Sequence, residues 1–365
     1  MPDRLIQAIE NGQLEHAQAI LEKGADANDL DSQGRTALGT AIEYWCRSEG
    51  CGAYSMNIAT GEYIDPDLYS EGLGEAAANM LLKHNANIDA RDALGRTALF
   101  ISAQHGHSAS TEWLLGHGAD VNGQCSEGRT PLHYAANVDA ITKNEYDRHA
   151  GIIKELVKRG ANPNARDLHG CTPAFVAAAN FGGDMLLPLG NNGADLLAKD
   201  HRGRTPLLAA AMDNHDAWYA PSACLAARIG DLEALKWMND NPCGCLDAFD
   251  QHHAPEVGAS AKAISEEAAV GEIKLQINTE SGYSVRAGCP TNLNCQTSSH
   301  ELECLAEMMC EAASCGHIAT MEWLIAQGAD ASSKNAKGNL PLYVAATNGH
   351  TMACKWLREL GAHNI

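Results

Sequence analysis

A phrase of ten residues returns along this chain with a period of about 33 residues, and no other feature restricts the fold as strongly. Its clearest copy is EGRTPLHYAA at 127–136. Gly128 permits a positive φ, Thr130 can cap a helix, and Pro131 suits the first helical position. The other copies are GRTALGTAI (34–42), GRTALFISA (95–103), GCTPAFVAAA (170–179), GRTPLLAAA (203–211) and GNLPLYVAA (338–346). The phrase predicts a turn followed by a short, closely packed helix, repeated many times.

A second phrase closes the repeat. Its copies are EKGADAN (22–28), KHNANID (83–89), GHGADVN (116–122), KRGANPN (158–164), NNGADLL (191–197) and AQGADAS (326–332). One unit runs from Asp92 to Asn122 and another from Asp167 to Leu197. A chain of such units grows by stacking in one direction and needs no central core.

These phrases resemble those of the ankyrin-repeat family. The T-P-L-H-x-A motif of that family occurs intact in Thr130–Ala135, with Tyr134 at the free position x. The resemblance covers about three-quarters of the chain and implies an all-α solenoid of about eight or nine helix-turn-helix units with β-hairpin or turn tips, interrupted by insertions.

The repeats predict three regions. We expect ankyrin repeats over 1–240, with insertions at about 43–74 and 138–147. A non-repeat insertion follows at 241–303, and C-terminal ankyrin repeats and a cap occupy 304–365. The first unit lacks its turn, as an N-terminal cap would.

Two segments after residue 212 depart from the repeat. Residues 222–240 have the pattern of a helix pair without a preceding turn phrase, so the repeat boundaries there stay open. Alternation of apolar and polar residues within 272–288, around Ser281-Gly282, predicts a β-hairpin. Four tryptophans share one repeat position and are expected to pack in second helices: Trp113, Trp237, Trp323 and Trp356.

The composition restricts the partners. The chain is 45% hydrophobic but only 5% aromatic, which suits alanine-rich helices that stack closely. Its 46 acidic and 26 basic residues give a formal charge of −20, which repels nucleic acids and anionic membranes and favours a basic partner. Solubility alone would explain this charge equally well.

The cysteines and the N-terminus indicate the compartment. The 13 cysteines are odd in number and scattered, so they do not predict a disulfide framework. The first residues, MPDRLIQAIENGQ, have no signal-peptide pattern, and no apolar run reaches the roughly 20 residues that span a membrane. We expect a cytoplasmic protein, and secretion that needs no signal peptide stays open.

The resemblance implies protein binding by a concave side made of turn tips and first helices. At the tips, Arg35, Arg96, Arg129 and Arg204 either contact a partner or brace the neighbouring turn. The candidates at the ends of first helices are Glu43, Tyr44, Trp45, Gln104, His105, Asn137, Asn180, Phe181, Met212 and Asp213. The aromatic ones are the most informative, because aromatic side chains anchor interfaces. The alternative for Trp45 is packing beneath the 43–74 insertion.

The insertions are further candidates for binding. The first is dense in apolar and aromatic residues, which either fold over the array or meet a partner: Tyr54, Met56, Ile58, Tyr63, Ile64, Leu68 and Tyr69. Insertions within repeats commonly map to one face of the array.

A metal site is a weaker hypothesis. Its candidate ligands are Cys243, Cys245, His252, His253, Cys289, Cys295, His300 and Cys304. Their C-x-C and C-x₅-C spacings match zinc sites poorly, and HELEC (300–304) lacks the second histidine of a zincin helix. No nucleophile-elbow, P-loop or dinucleotide-binding motif occurs.

We therefore predict a non-catalytic protein-protein interaction module without a metal or cofactor. The alternatives are an immunity or inhibitor protein that neutralises a basic toxin or enzyme, and a microbial effector that captures a host protein. A metal- or cysteine-dependent activity in 241–303 is the alternative outside binding. Asn122 and Asn164 occupy positions that are hydroxylated in some family members, and bracing of the turns is the simpler explanation.

Overall fold

The computed structural model describes residues 2–48, 72–138, 142–179, 185–213, 219–240 and 299–362. Within these ranges the regular structure is helical and no strand occurs. The chain divides into two compact units, Met1–Pro206 and Leu207–Ile365. The predicted hairpin at 272–288, the apolar set of the first insertion and the cysteine-histidine set at 243–295 lie outside the described residues. The predicted boundaries at 240 and 303 adjoin such residues and stay predictions.

The first unit is built from five helix pairs among the residues described. Its helices are α1 (Pro2–Glu10), α2 (Leu14–Glu22), α3 (Ala37–Ser48), α4 (Leu73–Lys83), α5 (Ala98–His105), α6 (Ser108–Gly116), α7 (Pro131–Ala136), α8 (Lys143–Lys158), α9 (Pro173–Ala179) and α10 (Leu186–Asn191). The first helices of the pairs, α1, α3, α5, α7 and α9, each pack against the next one along the chain.

The second unit has three helix pairs in its described part. Its helices are α11 (Pro206–Asp213), which begins at the last residue of the first unit, then α12 (Tyr219–Ile229), α13 (Leu232–Asp240), α14 (Ser299–Cys315), α15 (Ile318–Ala326), α16 (Pro341–Thr347) and α17 (Thr351–Glu359). The pair predicted at 222–240 is confirmed as α12 and α13, and α12, α14 and α16 stack in turn.

The core lies between stacked first helices. Leu38, Leu99 and Leu132 occupy one repeat position and are at most 1% exposed. Alanines three or four positions further on, such as Ala41 and Ala103, are fully buried and let the next helix approach closely. The four repeated tryptophans lie half-buried on α6, α13, α15 and α17, as expected of second-helix packing.

Helices extend into both predicted insertions of the first unit. Helix α3 runs to Ser48 and α4 begins at Leu73. The second half of the predicted 138–147 insertion lies in α8, which has 16 residues. This helix begins with a capping box, in which Thr142 Oγ1 accepts from Glu145 N at 3.2 Å and Glu145 Oε2 accepts from Thr142 N at 3.0 Å. None of the helices described here has the length and apolarity to cross a bilayer.

Candidate functional site

The turn tips of the first unit are held by an aspartate at their start. Asp92 Oδ1 accepts from the backbone N–H of Arg96 at 2.8 Å, and its Oδ2 accepts from Arg96 Nε at 2.8 Å. The same arrangement joins Asp31 to Arg35 and Asp200 to Arg204, with Nε–Oδ2 distances of 2.8 and 3.0 Å. These arginines therefore brace their own turns, which is one of the two roles considered for them.

We number each tip by its repeat, so that residues 125–129 form the fourth tip and residues 167–171 the fifth; the fourth tip departs from this arrangement. Cys125 stands at the aspartate position, so Arg129 has no carboxylate at the start of its own turn. Its Nε lies 3.6 Å from Oδ2 of Asp167 in the next tip, and its Nη1 lies 3.2 Å from Glu127. The fifth tip has Cys171 at the arginine position, so its Asp167 has no arginine in its own turn. Arg129 of the fourth tip and Asp167 of the fifth therefore pair with each other. Nε of Arg129 is buried and has no hydrogen-bond partner, so this guanidinium is held by its two ion pairs and lacks the Nε hydrogen bond that Arg96 makes.

Consecutive tips contact each other through backbone atoms. Ser126 N donates to Leu94 O at 3.0 Å, and Leu168 N donates to Glu127 O at 3.0 Å. The approach requires glycine: Gly95 has a φ of 73°, and a Cβ there would lie 2.9 Å from Ser126 N.

His133 is a structural residue of the T-P-L-H motif. Its Nδ1 accepts from Thr130 N at 3.0 Å, so its Nε2 carries the proton and donates to Cys171 O at 3.2 Å. Burial lowers the pKa of this imidazole, which is 1% exposed. The side chain thus joins the first helix to the following tip and does not face a partner.

The closing phrases are braced by asparagines. Asn122 Oδ1 accepts from Asn162 N at 2.9 Å, and its Nδ2 donates to Gly160 O at 2.9 Å. Asn164 accepts from Asp195 N at 2.7 Å in the next repeat. Their geometry accords with the bracing interpretation.

Tyr44 and Trp45 are buried, with 5% and 4% exposure, so they do not lie on the binding surface where the sequence placed them. The ring of Trp45 lies edge-on to those of His107 and Trp113, with centroids 5.7 and 6.2 Å away. A Cβ on Gly74 of α4 would collide with Trp45. The physical reason is the length of α3, whose added turn packs against neighbouring helices.

The remaining predicted site residues differ in their surroundings. Arg96 is paired within its tip, and Arg129 is 36% exposed in its side chain. His105 is half-buried, and its burial lowers its pKa; Asn137 is exposed. Glu43 pairs with Arg47 on α3, and Gln104 is half-buried.

Other predicted residues belong to the second unit or lie outside the description. Met212, on α11, is 39% exposed, and of Asp213 only the backbone is described. Asn180 and Phe181 fall outside the described residues. Met212 and Asp213 thus belong to a different compact unit from the other candidates.

The structure adds a row of side chains that the sequence analysis did not select. Ile101 on α5, Tyr134 on α7 and Val176 on α9 occupy the free position x of three successive repeats, and all are half-buried. Tyr134 packs edge-on against Phe100, with ring centroids 5.2 Å apart. We call Ile101, Tyr134 and Val176 the first-helix row. The T-P-L-H-x-A motif could have identified this row, because the residue at position x is not fixed by the repeat.

One histidine–hydroxyl pair among the described residues serves a structural role. His107 Nδ1 lies 2.8 Å from Ser110 Oγ, but the two residues are 2% and 0% exposed and hold the start of α6. No group of three or more potential metal ligands occurs within the described ranges. Cys304 is disulfide-bonded, and seven other described cysteines are free.

Comparison with known families places repeats in both units. Residues 70–167 match the family described as "Ankyrin repeats (3 copies)", and residues 309–358 match "Ankyrin repeats (many copies)". The first match includes α4 to α8 and the fourth turn tip. The second includes the C-terminal part of α14, all of α15 and α16, and nearly all of α17.

Proposed function

On the premise that this chain is an ankyrin-repeat protein, we propose that it is a non-catalytic module whose first unit binds another protein. Ankyrin repeats generally mediate protein-protein interaction. The proposed surface consists of the first-helix row and the adjoining turn tips. It omits Tyr44 and Trp45, because their side chains are buried.

The observation that carries this proposal is the first-helix row. Framework side chains of the repeat are consumed by internal contacts, as in the Asp92–Arg96 pair and the His133 cap. Position x instead holds apolar side chains that stay half-exposed on three successive helices. Polar side chains at the helix ends, such as Gln104 and Asn137, give this apolar strip the polar rim that interfaces have.

The stacked helices also reduce the cost of association. Hydrogen bonds between consecutive tips and closing phrases hold the backbone beside the row in place. When a partner binds such a surface, few side chains or loops of this chain have to become ordered. The loss of conformational entropy on binding is therefore smaller.

We place this activity in a reducing compartment such as the cytoplasm. Seven of the eight described cysteines carry free thiols, four of them buried, whereas Cys304 is disulfide-bonded. Thiols persist where glutathione or thioredoxin keeps them reduced. Alkylation of the protein in intact cells, followed by mass spectrometry, tests this assignment at the exposed Cys315.

The test of the binding proposal is affinity capture from the source organism with two matched variants. The first, Ile101→Gln with Val176→Gln, changes the row while it leaves Tyr134 packed against Phe100. The second, Glu112→Gln with Lys154→Gln, changes exposed residues of the second helices α6 and α8. Each captured protein is purified, and its Kd is measured by calorimetry.

We expect the row variant to bind at least about tenfold more weakly, because truncating a central contact typically costs more than about 1.4 kcal/mol. The second-helix variant should bind as the native chain does. Equal Kd values for all three proteins, or capture of no protein by the native chain, would overturn the proposal. Far-UV circular dichroism and the melting temperature verify that each variant is folded.

A further inference from the structure

The turn tips of the first unit carry a charge opposite to that of the chain. We define the turn-tip edge as residues 31–35, 91–96, 124–129, 166–171 and 199–204. It contains eight arginines and lysines against five aspartates and glutamates, a formal charge of +3 in a chain of −20. The remainder of the chain is therefore more acidic than the total indicates.

Burial increases this contrast at the surface. The edge aspartates have side chains only 2–9% exposed: Asp31, Asp92, Asp167 and Asp200. Glu127 is the exposed carboxylate of the edge, at 60%. Burial would raise the pKa of Asp200, but hydrogen bonds from Arg204 and Arg202 lower it on balance, so this carboxylate stays ionised inside its turn.

Four of the eight cations of the edge, in contrast, are exposed: Arg91, Arg166, Lys199 and Arg202. Arg91, Arg166 and Arg202 lie in three different tips. Arg166 Nη1 donates to Gly170 O at 2.7 Å and to Lys199 O at 2.6 Å. These carbonyl partners fix the guanidinium at the edge without cancelling its charge, so its remaining donors are available to a carboxylate.

Two exposed leucines flank the fourth tip. Leu94 is 55% exposed and Leu168 is 67% exposed, and each contacts the backbone of this tip. Between them lies Arg129, which has no carboxylate at the start of its turn and no hydrogen bond from Nε. The fourth tip therefore combines a partly exposed guanidinium, paired with Glu127 and Asp167, with an exposed leucine in each neighbouring tip.

We propose that the turn-tip edge binds an acidic, extended segment of the partner protein. Carboxylates of that segment meet Arg129, Arg166 and Arg202, and its apolar side chains cover Leu94 and Leu168. This inference rests on the proposed function and adds the partner's chemistry. It reverses the expectation of a basic partner. The electric field close to the edge depends mainly on the nearest charges, whereas salt screens the more distant charges that contribute to the total of −20.

An acidic polypeptide fits the edge better than a nucleic acid. Both would be attracted by the guanidiniums, but a nucleic acid carries a phosphate at every step and meets the repulsion of the whole chain. The exposed leucines give a polypeptide apolar contacts that a phosphate backbone does not use. Arginine forks also match carboxylates in geometry, with two parallel hydrogen bonds.

The experiment selects peptides of about 16 residues from a random display library against the full chain; extended, they reach about 50 Å. We expect the enriched peptides to be acidic and to contain leucine-like residues. Their Kd is then measured by fluorescence anisotropy at about 50 and 300 mM salt, where screening should weaken binding. A random single-stranded oligonucleotide of similar length is measured beside them.

The deciding variant is Arg129→Glu with Arg202→Glu. It should weaken peptide binding more than about tenfold, because two attractions become repulsions. The matched control, Lys83→Glu with Lys154→Glu, makes the same charge change on exposed second-helix residues outside the turn-tip edge and should leave Kd within about twofold. Enrichment of basic or neutral peptides, no enrichment, or equal loss in both variants would overturn the inference.

A substitution that adds a carboxylate inside the turn separates the role of Arg129 from overall charge. Cys125→Asp restores the residue found in the neighbouring tips and should engage Arg129 as Asp92 engages Arg96. We expect the melting temperature to rise and the peptide Kd to weaken about threefold or more, as a charge-assisted contact is lost. An unchanged Kd would remove Arg129 from the site.

The same peptides distinguish the two proposals. If the row variant Ile101→Gln with Val176→Gln loses a captured partner but the edge variant does not, the proposed function stands and this inference fails. If neither variant affects any ligand, both fail. Tight oligonucleotide binding that the edge variant abolishes would assign the edge to nucleic acid and overturn the acidic-segment inference alone.

Discussion

Residues of the turn tips have two roles: some stabilise the turn, and others leave a charge at the surface. Asp92 satisfies two backbone N–H groups and the Nε of Arg96. Where Cys125 replaces the aspartate, Arg129 turns to Asp167 of the next tip at a longer distance. One side chain thus changes from a brace into a candidate binding group through a substitution elsewhere in its turn.

The glycines of the tips provide a first prediction. Gly95→Ala should destabilise the chain by about 2–3 kcal/mol, because it combines a positive φ with a Cβ against Ser126 N. Gly118 is the control: its φ is 87°, but a Cβ there meets nothing within 4 Å. Gly118→Ala should cost only about 1 kcal/mol. Urea unfolding measures both, and equal losses would refute the close-approach argument.

His149 predicts how stability depends on pH. Its ring is 4% exposed, its Nδ1 donates to Ala135 O at 3.2 Å, and a Cβ at Gly106 would lie 2.5 Å from its Nε2. Burial lowers its pKa to about 4; Arg148 and His105 also lower it, whereas the Ala135 carbonyl and Glu145 raise it. The unfolded chain therefore binds a proton at this residue more readily than the folded chain.

Acidification should accordingly cost stability between about pH 6.5 and 4, by about 3 kcal/mol at the lower end. His149→Gln keeps an N–H donor for Ala135 O but does not titrate. The midpoint of urea unfolding, measured at several pH values, should fall less steeply for this variant than for the native chain. Parallel curves for the two proteins would show that His149 does not carry the dependence.

At the scale of elements, two helices of unusual length explain the differences from the sequence analysis. The continuation of α3 to Ser48 turns Tyr44 and Trp45 into core residues. The start of α8 at Lys143 places the second half of the predicted 138–147 insertion in a longer second helix. The first depended on tertiary packing, whereas the second had a readable signal in the T-x-x-E pattern of Thr142 and Glu145.

The capping box of α8 gives an element-scale prediction. Thr142→Ala should destabilise the first unit by about 1 kcal/mol, because it removes the acceptor for Glu145 N. Glu112→Ala on α6 serves as the control, since this exposed residue is not part of a cap. Thermal unfolding followed by circular dichroism compares the two. A loss for Glu112→Ala as large as that for Thr142→Ala would contradict the capping assignment.

At the scale of the whole molecule, the two compact units suggest separable folding. Stability in repeat proteins is a sum over repeats and their nearest-neighbour contacts. A fragment of residues 1–213, which keeps α11 whole, should fold with helical circular dichroism and one cooperative urea transition. A fragment of residues 1–179 should be less stable, because it loses α10, which packs on α8 and α9. A disordered 1–213 fragment would show that the first unit needs the second.

The distribution of charge also belongs to the whole molecule. A total of −20 led to the prediction of a basic partner, whereas the turn-tip edge carries +3. Summation over a sequence treats all charges alike, but a folded chain hides some and exposes others. The edge aspartates, at 2–9% exposure, are the clearest example.

The sequence by itself determined the repeat, the helical class and the framework contacts. These follow from local rules: a glycine that takes a positive φ, a threonine at the helix cap and a proline at the first helical position have the same consequence in each copy that contains them. The predicted second-helix tryptophans and the α12–α13 pair were correct for the same reason.

Only the tertiary structure decided which side chains remain at the surface. Tyr44 is buried because α4 and α6 pack against an extended α3. Tyr134 remains partly exposed because position x lies between stacked helices. The pairing of Arg129 with Asp167 joins residues 38 positions apart. Such contacts depend on how successive repeats stack. The local order of residues does not determine which residues of neighbouring repeats come close together.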